Sequence, residues 1–569
     1  MLSKRAFVAG ACFLACASTP SHAQRLVEGR VIAQLGEEAP GAGGRRFDDL
    51  RIDEALFVTD DVVAFHSILD GDNGIWLSRS GQPLELLILE GNPLPAALGA
   101  GMVSDTFPPR ADGNGLLYAM IEYDDRHTLI ASFDPLADHW TEIWNSTEAL
   151  PLPDGVRATQ QFPDWRVSTQ GVVILQSIIS GPGFPSTNDR GLWRVNGTVE
   201  LVATTRVPIG SIRPMVAHRF GDPRVRPDGT VVLEAESDDQ VEFGRTLWDD
   251  EGIWAIDLDG AFEELARVGN PLPGGGDRSF ISAVESRFGI SGNSSGAISY
   301  VATFRNNFGH PQVEGSVALS IDADGIRRRI AAAGDLLPGS ATDRFSTFFG
   351  PMLDEDGNVV FDADLQDRSS WRDDGIWTTD TDGNVEEILL EDDIVPGAPD
   401  HAFDDGPYVP WLSAYGDILF NASYNPSGLS TRKTGLFIRR PGQAVEAVIQ
   451  VGDALLLDGA SRPEKVSLVS APFGALPGSP LGERTAFTRA GHLLLDIATT
   501  ASNRYIVAIK VPVSCPADCD LNGELDLFDF LCFQSAFALG EMSADCDKNG
   551  TLDFFDFVCF QSAFAVGCN

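Results

Sequence analysis

Near the C-terminal end, oxygen-bearing side chains fall at positions 1, 3, 5, 9 and 12 of a twelve-residue loop, twice over. The first set is Asp518, Asp520, Asn522, Asp526 and Asp529; the second is Asp545, Asp547, Asn549, Asp553 and Asp556. Position 7, Glu524 or Thr551, can add a backbone carbonyl. Position 6 is Gly523 or Gly550, where the chain must turn sharply around an ion. Calcium is a hard cation that gathers about six to eight oxygens, and this alternation turns every second side chain inward. The spacing therefore predicts two calcium ions. Two acidic Asp-Gly surface turns would be the plainer explanation, but the same donors and the same glycine recur in both copies.

The elements that must position these loops are themselves duplicated. Ala517–Gly540 and Ala544–Gly567 are one 24-residue unit written twice, identical at 19 positions. After each loop, Asp529–Ala538 and Asp556–Ala565 are helix-compatible. Phe530, Phe533 and Phe537, like Phe557, Phe560 and Phe564, recur at i, i+3, i+7. Val511-Pro512-Val513-Ser514-Cys515-Pro516, before the first loop, cannot make a good helix. Each unit is thus a loop with an exiting helix. It matches the EF-hand loop pattern except at position 12, where Asp replaces Glu. A duplicated half EF-hand with Asp at position 12 resembles the type I dockerin module. The resemblance covers residues 513–569 and implies two calcium ions and docking to a cohesin-like receptor domain. Dockerins usually select their partner at loop positions 10 and 11, often with small hydroxylated residues. Here these are Leu527-Phe528 and Phe554-Phe555, so the implied docking surface is apolar. Burial against the helices or the rest of the chain is the other reading of these four.

So small a module needs staples. Six of the chain's eight cysteines lie here: Cys515, Cys519, Cys532, Cys546, Cys559 and Cys568. Of the possible pairings, the internal repeat favours Cys515–Cys568 across the ends, with Cys519–Cys532 and Cys546–Cys559 tying each loop to its own helix. Zinc is the rival, but no C-x-x-C spacing and no nearby His support it.

At the other end, Lys4-Arg5, an apolar run from Ala6 to Ala17 and Ser21-His22-Ala23 predict a secretory signal peptide over residues 1–23. A lipoprotein site at Cys16 would need an aliphatic residue where Phe13 stands. No later run approaches a membrane span. The expected location is extracellular or on the cell surface, where disulfides persist. A net charge of −41 argues against nucleic acid and anionic membranes as partners.

Residues 24–512 carry short β-rich runs with a period near 60. One phrase ends in Pro-Gly or a variant: LGEEAPG (35–41), EGNPLP (90–95), VGNPLPGG (268–275), AGDLLPG (333–339), EDDIVPG (391–397) and VGDALLLDG (451–459), with looser versions at 148–155 and 204–210. A second is a turn and a strand anchored at Phe65, Ala119, Leu175, Leu233, Tyr300, Phe361, Phe420 and Phe487. A third is Gly-Ile-Trp or a variant, at 74–76, 191–193, 252–254, 375–377 and 435–437, usually followed by an Asp-Gly or Asn-Gly hairpin. Four strands per unit make one propeller blade. The eighth unit lacks its fourth strand, which Leu26–Leu35 can supply. The expected fold is all-β, an eight-bladed β-propeller closed by its N-terminal strand, plus the small helical calcium module. Asn293-x-x-Gly296, Asp354-x-x-Gly357 and Ser413-x-x-Gly416 resemble exported bacterial tandem-repeat proteins named for the NxxGxxAF repeat, which implies display more than chemistry.

An active site is harder to find. Gly292-Asn293-Ser294-Ser295-Gly296 spells the serine-hydrolase G-x-S-x-G, but it occupies the repeat's ordinary turn, and the nucleophile elbow needs a following helix. His66 follows an anchor and reads as core. Arg110, Arg166 and Arg224 stand at one repeat position in three consecutive units and could grip a carboxylate or sulfate; pairing with an Asp of the same blade is the plainer reading. The expectation is a secreted display or binding protein, with a glycan as a possible propeller ligand. The alternative is a polysaccharide-degrading hydrolase carried by the dockerin-like tail.

Overall fold

The computed structural model describes residues 25–511 apart from 125–126, 160–163, 185–188, 207, 210–214, 217–218, 222, 227, 238–249, 275–278, 285–289, 294, 307–313, 323, 355, 367–373, 381–382, 414–415, 427–431, 471–485 and 489–490, and then 517–519, 525–540, 544–546 and 551–566. Residues 1–24, where the signal peptide is expected, lie outside the described residues.

The first blade shows how the recurring phrases fold. Strands β2 (Asp49–Thr59), β3 (Val62–Leu69), β4 (Asp72–Arg79) and β5 (Glu85–Leu89) form an antiparallel meander in chain order. The Gly-Ile-Trp phrase lies on the third strand. Its indole folds back over the glycine two residues earlier, so a Cβ at Gly74, Gly191, Gly252 or Gly375 would collide with the ring. The Trp76 indole N–H donates to the Pro40 carbonyl and that of Trp193 to the Pro151 carbonyl. The Pro-bearing phrase thus holds the ring from behind. In the same phrase an Asp closes the connection between blades: Asp335, Asp393 and Asp453 each accept a backbone N–H three residues upstream. The turn after the first strand is capped likewise in the fifth and sixth blades. Asn293 and Asp354 accept the N–H four residues on, around Gly296 (φ 92°) and Gly357 (φ 86°), a conformation glycine tolerates best.

Eight such sheets follow one another. They bury eight apolar clusters, each shared by two successive blades. Leu56 and Ile75 of the first blade pack with Leu117 and Leu129 of the second. The series ends where Phe57 and Trp76 meet Leu494 and Ile506 of the last. That cluster closes the ring. Strand β1 (Leu26–Gln34) completes the eighth sheet by running antiparallel to Arg504–Lys510, with Arg30 opposite Ala508 and Gln34 opposite Tyr505. Its first residues also run parallel to Ala454–Leu457. Closure from the chain's beginning is what the missing strand predicted, and it protects both edges.

One expectation is corrected. The eighth anchor is Leu495, on the strand His492–Thr499, rather than Phe487. Phe487 sits one strand earlier, bridged to Leu493. The eighth unit carries a longer stretch before this strand, so Leu495 comes 75 residues after Phe420.

Beyond the ring, α1 (Leu527–Leu539) and α2 (Phe554–Val566) pack on each other. Both begin two residues earlier than the sequence suggests, because Asp526 and Asp553 cap them. Asp526 accepts from Phe528 N and Asp529 accepts from Asp526 N; Asp553 and Asp556 repeat the arrangement. The core is Phe533 stacked on Phe560, ring centroids 4.1 Å apart, with Ala517, Ala536 and Ala544.

Candidate functional sites in the helical pair and at the ring axis

In the helical pair, the donors at loop positions 9 and 12 sit at the helix N-termini, where the partial positive charge of free N–H groups favours carboxylates. Capping engages one oxygen of each. Yet Asp529 and Asp556 are fully buried, and Asp518 is nearly so. Carboxylates buried in a core this small must be compensated by hydrogen bonds or a cation. Among the described residues no three His, Cys, Asp or Glu side chains are gathered into a metal cluster. Asp520, Asn522, Glu524, Asp547 and Asn549 lie outside the described residues. The donor set, all oxygen and mostly anionic, fits a hard divalent cation.

Two disulfides staple the pair, Cys519–Cys532 and Cys546–Cys559, each linking a loop to its own helix across 13 residues. Cys515 and Cys568 fall outside the described residues. The four residues at loop positions 10 and 11 occupy the first turn of each helix and face outward: Leu527 68 %, Phe528 65 %, Phe554 70 % and Phe555 65 % exposed. Phe554 and Phe555 pack edge to face. An apolar cleft of about 730 Å³ opens beside Leu527, lined also by Phe530, Phe560 and Phe564.

At the ring axis, first strands of neighbouring blades touch each other, and those of blades 1, 2, 4, 6 and 7 are bulged or broken midway. Four residues bulge out of β2 between Leu50 and Ala55. In the second blade the strand breaks between Thr106 and Arg110, and in the fourth between Phe220 and Arg224. Arg110, Arg166 and Arg224 begin or continue the strand after the break at one register, opposite Tyr118, Ile174 and Val232. The ring thus brings the three to equivalent places in consecutive blades. The Arg110 guanidinium lies 5.7 Å from the Trp165 ring of the next blade, and Arg166 donates to the Trp165 carbonyl.

Behind the breaks stands a polar layer that the repeat phrases did not reveal. The residue after each second-strand anchor is His66, Gln176, Glu234, Asp362, Asn421 or Asp496 in six of the eight blades. His66 is buried. Its Nδ1 meets Glu54 Oε2 at 2.5 Å, and its Nε2 lies 3.1 Å from the Thr106 carbonyl in the next blade. Burial raises the Glu54 carboxyl's pKa, but the hydrogen bonds and charges of His66 and Arg51 outweigh it and hold the group below its ordinary range. Gln176 reaches the Gly221 carbonyl at the fourth blade's break. Asp362 Oδ1 and Asn421 Oδ1, in adjacent blades, are buried without hydrogen-bond partners among the described residues. Burial pushes the Asp362 carboxyl up to about 7. A sequence signal did exist. Phe-Pro-Pro-Arg (107–110), Phe-Gly-Asp-Pro-Arg (220–224) and Phe-Gly-Pro (349–351) mark the breaks, since proline and glycine suit an interrupted edge strand.

The hydrolase motif forms no elbow. Ser291–Gly292 and Ile298–Asn306 are paired strands, with Gly296 N donating to the Asn293 carbonyl between them. Ser294 lies outside the described residues.

Several solved propellers are similar to the chain at low identity. The β-propeller domain of the trilobed protease from Pyrococcus furiosus is 12 % identical, with TM-score 0.33, over 71 % of this chain and 98 % of that one. An oligogalacturonate lyase in complex with manganese is 14 % identical, with TM-score 0.33, over 70 % and 97 %. An ulvan lyase of a polysaccharide lyase family is 11 % identical, with TM-score 0.30, over 74 % and 93 %. No curated protein matches. Residues 142–454, most of the ring, match one family model, and the chain belongs to that family of unknown function, DUF7453.

Proposed function

We propose that this protein is an exported display protein, in which a calcium-dependent, dockerin-like tail docks the β-propeller to a cohesin-like or other partner at the cell surface or outside the cell. The propeller is the binding module so displayed, with a glycan as its candidate ligand. One observation carries the reading: the helical pair buries Asp529 and Asp556 while it exposes the apolar side chains at loop positions 10 and 11. Asp529 and Asp556 are inaccessible while Phe528, Phe554 and Phe555 are largely exposed. An ordinary surface cap would do the reverse. Two calcium ions would be held by Asp518, Asp520, Asn522, Asp526 and Asp529 with the Glu524 carbonyl, and by Asp545, Asp547, Asn549, Asp553 and Asp556 with that of Thr551. Each ion would supply the positive charge that fixes a loop against its helix and sets the apolar pair outward.

The test immobilises the full chain, without residues 1–23, and exposes it to envelope and secreted fractions of the producing cell, first with calcium and then with chelator. The expected result is a partner retained in calcium, released by chelator, and not retained by the Phe528→Ser/Phe555→Ser variant. Two bound calcium ions with no captured partner would mean that the module caps the ring instead.

A further inference from the structure

A cavity of about 800 Å³ opens at the seam between the seventh blade and the closing blade, far in sequence from the helical pair. Arg25, Lys433 and Lys465 converge on it, with His401 and Tyr424 in its wall. In a chain of net charge −41, three cations around one cavity are unexpected. Many described arginines of the ring are paired with a carboxylate or a carbonyl, as Arg51, Arg206 and Arg504 are. The side chains of Arg25, Lys433 and Lys465 have no hydrogen bond or ion pair among the described residues.

The repeat itself says what has changed. Lys433 stands two residues before the glycine of the third-strand phrase, and His401 two residues before the aromatic that packs on the ring of that phrase. In the first blade those two places hold Asp72 and Arg45, which form an ion pair. In the third blade the place of Lys433 is held by Asp189, bound to Arg206 at 2.7 Å. The seventh blade has replaced the acid of this pair by a base and left a base facing it. Among the described residues Lys433 therefore lacks the oppositely charged neighbour that Asp72 and Asp189 have in their blades, and an anion would supply that charge. The acids in the same wall do not neutralise it: Glu446 pairs with Arg440 at 3.2 Å, and one Asp453 oxygen caps the loop by accepting from Gln450 N.

We propose that this cavity binds a multivalent anion of oligosaccharide size, its charges carried by carboxylate or sulfate groups. Three cations from separate segments of the chain suit a ligand with separated charges, and the volume lies within the range of small-molecule sites. The proposal does not depend on calcium or on docking.

The test is calorimetric titration of the full chain with a uronic-acid trisaccharide, a sulfated trisaccharide and a neutral trisaccharide. At least one charged probe binds, and which one binds identifies the charged group; the neutral probe does not bind. Lys465→Gln weakens the binding about tenfold, and so does raised salt. Lys433→Asp restores the first blade's arrangement, so it abolishes binding while raising the melting temperature. That split distinguishes a ligand site from a folding defect. The proposal fails if neither charged probe binds, or if Lys433→Asp binds as the parent chain does.

Discussion

The ring and the helical pair solve the problem of stability by opposite means. The ring has eight interlocking apolar interfaces and, among its described residues, no disulfide. Each blade is held from both sides, and the last is sewn to the first by β1. The helical pair has one small core around Phe533 and Phe560, and it adds two disulfides and a set of buried carboxylates. A long chain can bury enough apolar surface to stand alone, whereas a short one must borrow stability from covalent bonds or ions. The ring should therefore ignore conditions that the tail obeys.

Removing calcium and reducing the disulfides sharpens that contrast most. Each disulfide is worth about 2–4 kcal/mol, comparable to the whole stability of a module this size. Chelator with reductant should abolish the helical far-UV signal of residues 527–566 and open that segment to protease. The β signal of the ring and its melting temperature should hold. Loss of both together would show that the two regions fold as one unit. Asp529→Ala alone should eliminate one of two calcium-binding events in a titration.

Within the ring, the largest single effect should come from an interface rather than a surface. Trp377 is fully buried between Phe345 and Phe361, with centroids 5.0 and 6.0 Å away. Trp377→Ala should cost about 3–5 kcal/mol, read as a fall in melting temperature, and leave calcium binding unchanged. A shift in calcium affinity would break the separation of the two regions.

How much of this was legible follows from which forces act locally. The blade count, the closing strand and the two disulfides were readable because each is written as a local repeat: the Gly-Ile-Trp phrase exists because the ring lies on its glycine, and each Cys pair spans one loop. The helix starts were misplaced because Asp526 and Asp553 look like ligands and also act as caps. The eighth anchor was misplaced because Ala486-Phe487 imitates the phrase that Leu495 fulfils. The polar layer behind the broken strands was hidden because His66, Gln176 and Asp362 share a level only once the ring brings blades together. The same holds for the cavity at the seam, whose lining comes from residue 25 and from residues near 400–465.

That polar layer offers a smaller effect with a defined sign. The Asp362 carboxyl is raised from 3.8 to about 7 by burial. The folded state thus holds its proton more tightly than the unfolded chain does. Stability should then fall as pH rises from about 4 to 7, by at most about 4 kcal/mol. Asp362→Asn should flatten this slope and stabilise the ring at pH 8 while changing little at pH 4. A pH dependence of melting that is identical in the two proteins would remove Asp362 from the account.

The smallest effect on stability should fall where the effect on function is largest. Phe528 and Phe555 are exposed, so replacing both by serine removes little burial. The melting temperatures of ring and tail should stay within the range of ordinary surface changes, about 0.5 kcal/mol. Calcium binding should persist, since the capping carboxylates Asp526, Asp529, Asp553 and Asp556 are untouched. Partner capture alone should disappear. Were these aromatics instead packed on another part of the same chain in solution, the double substitution would destabilise that part and lower its melting temperature. Measuring melting and capture on one preparation therefore decides whether the apolar first turns face a partner or the chain's own surface.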